Sequence, residues 1–265
     1  MNKKQTGLIV KGAICAAVLL WSSGPARADS RDVALYPNEG WVWRMAPVIG
    51  PQSYDGSVRV EGQRGTANAA LSDIADRATF QMALQMEGHG EQLGFLFDLS
   101  FLDLNADLDN GVQKTNLSAN LLSVDTLGSY GLGPWNMGTA SAGFELLGGA
   151  RWNQFNASAE VYPGGSAESG RGWVDPVVGG RLTANFDFPL RLEARSDWGG
   201  FGVGSATDLT WRFFGAAHYR PDPALEFFAG YRITDIKSQH QSGTGGTALD
   251  GRISGPMIGI TFILE

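Results

Sequence analysis

Residues 190–198 read Leu190-Arg191-Leu192-Glu193-Ala194-Arg195-Ser196-Asp197-Trp198. Apolar and polar side chains alternate one for one, the period of a strand with two unlike faces and not of a helix. Leu190, Leu192, Ala194 and Trp198 share one face, and Arg191, Glu193, Arg195 and Asp197 share the other. The pattern continues on both sides. Downstream, Leu209, Trp211, Phe213, Ala217 and Tyr219 alternate with Asp208, Thr210, Arg212, His218 and Arg220. Leu225, Phe227, Ala229, Tyr231 and Ile233 alternate with Glu226, Gly230, Arg232 and Thr234, and the chain finishes on Ile258, Ile260, Phe262 and Leu264. Upstream, Val174, Val178, Leu182, Ala184, Phe186 and Phe188 oppose Asp175, Arg181, Thr183, Asn185 and Asp187. Phe80, Met82, Leu84 and Met86 oppose Gln81, Ala83, Gln85 and Glu87.

Turn signals punctuate these runs: Gly88-His89-Gly90, Leu132-Gly133-Pro134, Phe188-Pro189, Pro221-Asp222-Pro223 and Gly243-Thr244-Gly245-Gly246. Strands joined by short turns make an antiparallel meander. Ala69 to Ala78 alone has a helical look, with Ser72 as its N-cap. The fold class is all-β.

The N-terminus supplies the compartment. Lys3, Lys4 and Lys11 precede the apolar run Gly12 to Trp21, and Ala26-Arg27-Ala28 has the small-x-small form of a cleavage site. This is the layout of a secretory signal peptide over residues 1–28, leaving a mature domain over 29–265. Cys15, the one cysteine, falls inside the apolar run, too early for a lipoprotein's acylated residue. The mature chain is then cysteine-free, which excludes disulfides and thiolate metal sites. Loss of Lys3, Lys4, Lys11 and Arg27 shifts the formal charge from −7 to −11. Nucleic acid is a poor partner for such a chain, since phosphates demand clustered cations. No apolar run reaches the ~18 residues of a helical span.

An exported meander can be a soluble sandwich or closed barrel, apolar side inward, or an outer-membrane barrel, apolar side toward lipid. Three features point to the membrane. The runs last ~9–16 residues, where a tilted spanning strand needs ~9–11 and globular strands more often have ~5–6. The polar faces carry Arg with Asp and Glu, and only Lys114 and Lys237 among lysines. Planar guanidiniums that pair with carboxylates suit a confined interior. Trp41, Trp43, Trp135, Trp173, Trp198 and Tyr219 stand near run ends, as in interfacial girdles. A barrel with both termini in the periplasm needs an even strand count. Omitting the short segment Asp55 to Glu61 leaves ten, about 40–49, 79–88, 92–104, 113–131, 138–160, 171–186, 190–201, 205–219, 224–238 and 249–264. The expected range is eight to twelve; twelve arises if Asp55–Glu61 is restored and 113–160 is split once more. Short turns at 88–91, 132–137, 187–189 and 221–223 then share the periplasmic end. Connections at 50–78, 105–112, 161–170, 200–204 and 239–248 share the exterior.

Residues 140–265 resemble a family of poorly characterised proteobacterial outer-membrane β-barrel proteins. The resemblance rests on Trp173-Val174-Asp175-Pro176-Val177-Val178-Gly179-Gly180-Arg181, on Asp197-Trp198-Gly199-Gly200-Phe201-Gly202-Val203-Gly204-Ser205 with Asp208-Leu209-Thr210-Trp211, on Ala229-Gly230-Tyr231-Arg232, and on Gly255-Pro256-Met257-Ile258-Gly259. A weaker echo lies in Leu71–Asp76. It implies a barrel in the outer membrane of a Gram-negative bacterium and little about activity. Such barrels usually finish on an aromatic residue, whereas here Phe262 is followed by Ile263, Leu264 and Glu265.

The polar faces nominate Asp175, Arg181, Arg191, Glu193, Arg195, Asp197, Asp208, Arg212, Glu226, Arg232 and Arg252 as lumen-lining. They can line a narrow channel, or supply the ion pairs that fill a small barrel. Gly199–Ser205 resembles a phosphate loop, but the strand after it points to a tight hairpin loop instead. His240 and Ser242 have the spacing of an imidazole and a hydroxyl on one strand face, the pair an outer-membrane lipid hydrolase would use, with Glu226 or Asp235 as orienting acid. His218 reads as a lumen hydrogen-bonder and His89 as a solvated turn residue. Three scattered histidines form no metal site, and no cofactor is expected. The leading expectation is a non-enzymatic barrel with a structural role or narrow passage of small polar solutes. Its expected partners are outer-membrane lipid, the barrel assembly machinery and small polar solutes. A lipid-modifying hydrolase and a soluble periplasmic β-barrel holding an apolar ligand are the alternatives.

Overall fold

The computed structural model describes residues 40–60, 63–69, 80–109, 114–162, 165–203, 207–240 and 247–264. The signal-peptide segment 1–28, Ser242 and all of the helix-like segment except Ala69 lie outside these residues; Ala69 itself ends a strand. The strands are β1 (Val42–Pro51), β2 (Ser53–Val60), β3 (Gln63–Ala69), β4 (Phe80–His89), β5 (Leu93–Asp109) and β6 (Lys114–Asn136). There follow β7 (Ala140–Tyr162), β8 (Ser166–Phe186), β9 (Leu190–Gly200), β10 (Leu209–Asp222), β11 (Leu225–His240) and β12 (Thr247–Leu264).

From β4 to β12 each strand pairs antiparallel with its successor, and β1 closes the ring against β4 and β12. Among the described residues, twelve strands thus occupy ten rows of a barrel. The segment omitted from the ten is β2, a strand, but it adds height and not circumference. β1 sets Ile49 opposite Ile258 of β12, and β2 sets Ser53 opposite Ser254, so one register runs unbroken past Gln52. β3 returns beside β2, and β4 resumes the same row beside β1.

Tight turns close one end. Gly90 N–H donates to the Leu93 carbonyl at 2.9 Å and Met137 N–H to the Ala140 carbonyl at 2.8 Å. Residues 187–189 and 223–224 close the other two hairpins there. At the opposite end β6, β7 and β8 run 23, 23 and 21 residues, so much of the expected 105–112 and 161–170 loops is strand. The glycine-rich stretch after β9 is a hairpin turn: Gly200, Phe201 and Gly202 all take positive φ (97°, 60° and 64°), and Gly202 N–H reaches the Thr207 carbonyl.

The outward face defines a lipid band. On β7 the outward positions from Ala142 to Trp152 are apolar or glycine, a span of eleven residues, and Gln154 and Asn156 follow. That matches the ~9–11 residues of a tilted membrane strand. The ten residues of β7 after Trp152 stand beyond the band, roughly 30 Å of extra strand at ~3.3 Å each. Trp41, Trp43, Trp135, Trp198 and Tyr219 are exposed on this surface. Trp173 is not part of the girdle. It shares its face with Asp175 and Val177, is buried, and hands its indole N–H to Asp175. With short turns at the periplasmic side and long strands outside, the chain is a transmembrane β-barrel of the Gram-negative outer membrane.

Candidate functional site

Alternation sends the polar half of every row inside, where ten rows leave little room. From the turn end to the level of Asp175, the inward carboxylates are Glu87, Asp98, Asp125, Glu145, Asp175, Glu193, Asp197 and Glu226. The inward guanidiniums are Arg44, Arg151, Arg181, Arg191, Arg195, Arg212, Arg220 and Arg232. Eight meet eight, so the interior is charge-balanced among the described residues.

At the turn end, Arg181 donates through Nε to Glu145 and through Nη1 to Glu87 at 2.8 Å. Its Nη2 lies 3.0 Å from His89 Nε2. The same Nε2 lies 3.2 Å from Glu87, and Nδ1 lies 3.4 Å from Glu145. His89 is therefore buried in an ion-pair cluster, not solvated in a turn: it is the last residue of β4, and its side chain points into the bore. Beside it, Arg191 bridges Glu226 at 2.6 Å and Glu193 at 2.9 Å, and His218 Nδ1 lies 2.8 Å from Glu226.

In the middle, Asp125 accepts from Arg151 (2.6 Å), Arg212 (2.6 Å) and Arg195 (3.2 Å). Asp197 accepts from Arg151 (2.6 Å) and Arg195 (3.0 Å). Arg232 of β11 spans the bore to Asp98 of β5 at 2.6 Å. Charge-assisted bonds of this kind are the strong ones, and each guanidinium here needs them because it has left water.

Toward the exterior, Asp175 is held by neutral donors. It takes the Trp173 indole N–H (3.1 Å), the Asn153 amide (3.1 Å), and the N–H (2.7 Å) and hydroxyl (2.9 Å) of Thr207, tying the β9–β10 turn to the wall. Above lies an apolar cluster of Tyr54, Leu102, Leu121, Phe155, Trp173, Ile236 and Ile253. Tyr54 stands above the lipid band; burial, with the charges of Asp250 and Asp55, pushes its phenol above the usual range and keeps it neutral. Two gaps among the described residues inside are water-sized. One beside Arg151, Arg212 and Trp173 leaves about 20 Å³, as does one beside Arg44, Glu87 and His218, against the ~10–15 Å³ that one water needs.

Of the eleven residues nominated from sequence, nine lie inside: Asp175, Arg181, Arg191, Glu193, Arg195, Asp197, Arg212, Glu226 and Arg232. Two do not. Asp208 precedes β10 and is exposed at the rim, its parity overridden by the turn. Arg252 lies on the same side of β12 as lipid-facing Ile258 and Ile260, but above the band, where it pairs with Asp235 at 2.9 Å. His240 ends β11 and its side chain is outside the described part, as is Ser242. The nominated set omits Arg44, Asp98, Asp125, Glu145 and Arg151, and also Glu87 and Arg220, which alternation places on polar faces. The available signal was a lone charge inside an apolar spanning strand, as Asp98 is between Phe97 and Leu99, since ionisable groups at that depth turn away from lipid.

No family model matches the sequence, and no curated protein matches it. Among solved structures, the outer membrane protease OmpT of Escherichia coli aligns at 12% identity over 89% of this chain and 100% of that one, with a TM-score of 0.48. The transport unit of the autotransporter AIDA-I of Escherichia coli aligns at 12% identity over 99% of both chains, TM-score 0.43. The outer membrane protein OprG of Pseudomonas aeruginosa aligns at 11% identity over 87% of this chain and 98% of that one, TM-score 0.38.

Proposed function

We propose that the protein is a closed, non-conducting membrane scaffold whose work is done by the strand extensions outside the outer leaflet. The observation that carries this reading is the bridging of the bore by Arg232–Asp98 and Arg181–Glu87, which join β11 to β5 and β8 to β4. An ion that entered would have to part such pairs, each held at hydrogen-bond length, and then the apolar cluster above them. Filling the bore with paired charge suits rigidity better than conduction, because a conducting path needs sites an ion can both enter and leave. Lipid surrounds the barrel and the assembly machinery inserts it. Planar-bilayer recordings of folded, heat-modifiable protein test this reading. Silence is expected, and steady ohmic steps from the unmodified protein would replace the scaffold by a narrow channel for small polar solutes. A hydrolase at His240 and Ser242 is the enzymatic alternative, and it would gain support from lipid A deacylation abolished by Ser242→Ala.

A further inference from the structure

The lipid-facing surface is not evenly filled. Between β8 and β9 it sinks into a groove of about 470 Å³. Its floor is Gly180, Ala194 and Ser196, the smallest outward side chains of the two strands at that height. Phe144, Leu182, Trp198 and Phe213 rise around it as walls. Gly180 pairs with Ser196 in register, and the next rung up sets Val178 beside Trp198 and Trp198 beside Trp211. On β7 the groove's register partners run from Phe144 opposite Leu182 to Gly148 opposite Val178, so it lies within the lipid band.

The geometry points to a seat for one acyl chain of a membrane lipid. The groove is continuous with the band that already faces hydrocarbon, so an acyl chain meets it without crossing any other medium. The polar side chain on its floor is spent: the Ser196 hydroxyl accepts from the Trp211 indole N–H at 2.9 Å and donates to the Arg212 carbonyl at 3.3 Å. Nothing on the floor is left to solicit a head group or a polar peptide. A Cβ on Gly180 would meet the Phe144 ring at 2.8 Å. Phe144 thus lies over Gly180 and forms one wall of the groove. A chain laid in the groove gains contact on its floor and both sides, where elsewhere on the band it gains one.

The test uses the full folded chain in phospholipid vesicles doped with a phospholipid carrying a mid-chain diazirine, photolysed and mapped by peptide mass spectrometry. Label should concentrate on Phe144, Leu182 and Trp198, saturate under competition with unlabelled lipid, and fall several-fold in Ala194→Phe, which fills the floor. Ala229→Phe, on the exposed outer face of β11, should leave the labelling unchanged. Ala194→Leu serves if the larger substitution prevents heat-modifiable folding. Uniform labelling around the band, or labelling indifferent to Ala194→Phe, would overturn the proposal. So would a protein–protein crosslink at the same residues that Ala194→Phe abolishes, since the occupant would then be a second copy.

Discussion

Arg232 donates from Nη2 to Asp98 Oδ2 at 2.6 Å, although the two residues stand 134 positions apart on strands that share no ladder. The bond crosses the bore. It shows that the interior is one connected object and not a lining: guanidiniums from β7, β9 and β10 converge on Asp125 of β6 within the same layer. Removing one partner of such a pair strands the other in a low-dielectric bore, which is far costlier than losing both.

The pair should accordingly behave as a coupled unit. Arg232→Met and Asp98→Leu are each expected to lose ~3–5 kcal/mol, whereas the double variant should recover much of that loss. Urea unfolding in vesicles, followed by tryptophan fluorescence, measures all four corners of the cycle. Strictly additive losses would mean that the two side chains do not act on one another.

Asp125 is the most heavily used carboxylate, with three guanidiniums at 3.2 Å or less. Asp125→Ala should lower the unfolding midpoint at least as much as breaking any single pair, about 3–5 kcal/mol. Arg212→Met should cost less, because Arg151 and Arg195 still neutralise the carboxylate. The reverse ranking in the same urea assay would place the weight on Arg212.

These partnerships explain what the sequence could and could not disclose. Face assignment is a local matter of parity, so Arg191, Glu193, Arg195 and Asp197 were legible as one inward face from nine consecutive residues. Partner identity depends on register summed around the ring, and no local pattern links Arg232 to Asp98. Height was harder to read than face. Arg252 has the parity of Ile258 and Ile260, which marks it as outward, but only the top of the lipid band shows why a charge is tolerated there. Trp173 misled in the opposite sense: an aromatic near a run end looks interfacial until its shared parity with Asp175 is given precedence.

Two adjacent glycines should respond in opposite ways. Gly149 faces inward, and a Cβ there would run into the Thr126 carbonyl oxygen and meet Leu127 Cα at 2.9 Å. Gly149→Ala should therefore cost ~1–3 kcal/mol, the usual range for overpacking. Gly148 faces lipid with its nearest neighbour, the Val177 carbonyl oxygen, at 4.0 Å. Gly148→Ala should stay within about 0.5 kcal/mol of the parent protein. Equal midpoints for the two variants would contradict the facing of β7.

The β2–β3 hairpin should be removable. β1 pairs directly with β4 up to Pro51 opposite Phe80 and with β12 up to Ile49 opposite Ile258, so the ring is closed below the hairpin. Replacing residues 52–79 by a two-residue Asn-Gly turn would join strands that already lie side by side. The variant is expected to insert and to keep heat-modifiable mobility. It should lose protection at one place, because Ala248 to Ser254 of β12 pair with β2 along that edge and Tyr54 leaves the apolar cluster. Trypsin added to intact vesicles should then cleave after Arg252, which is exposed but held in a ladder in the parent. A variant that never becomes heat-modifiable would show instead that β2 and β3 take part in closing the ring.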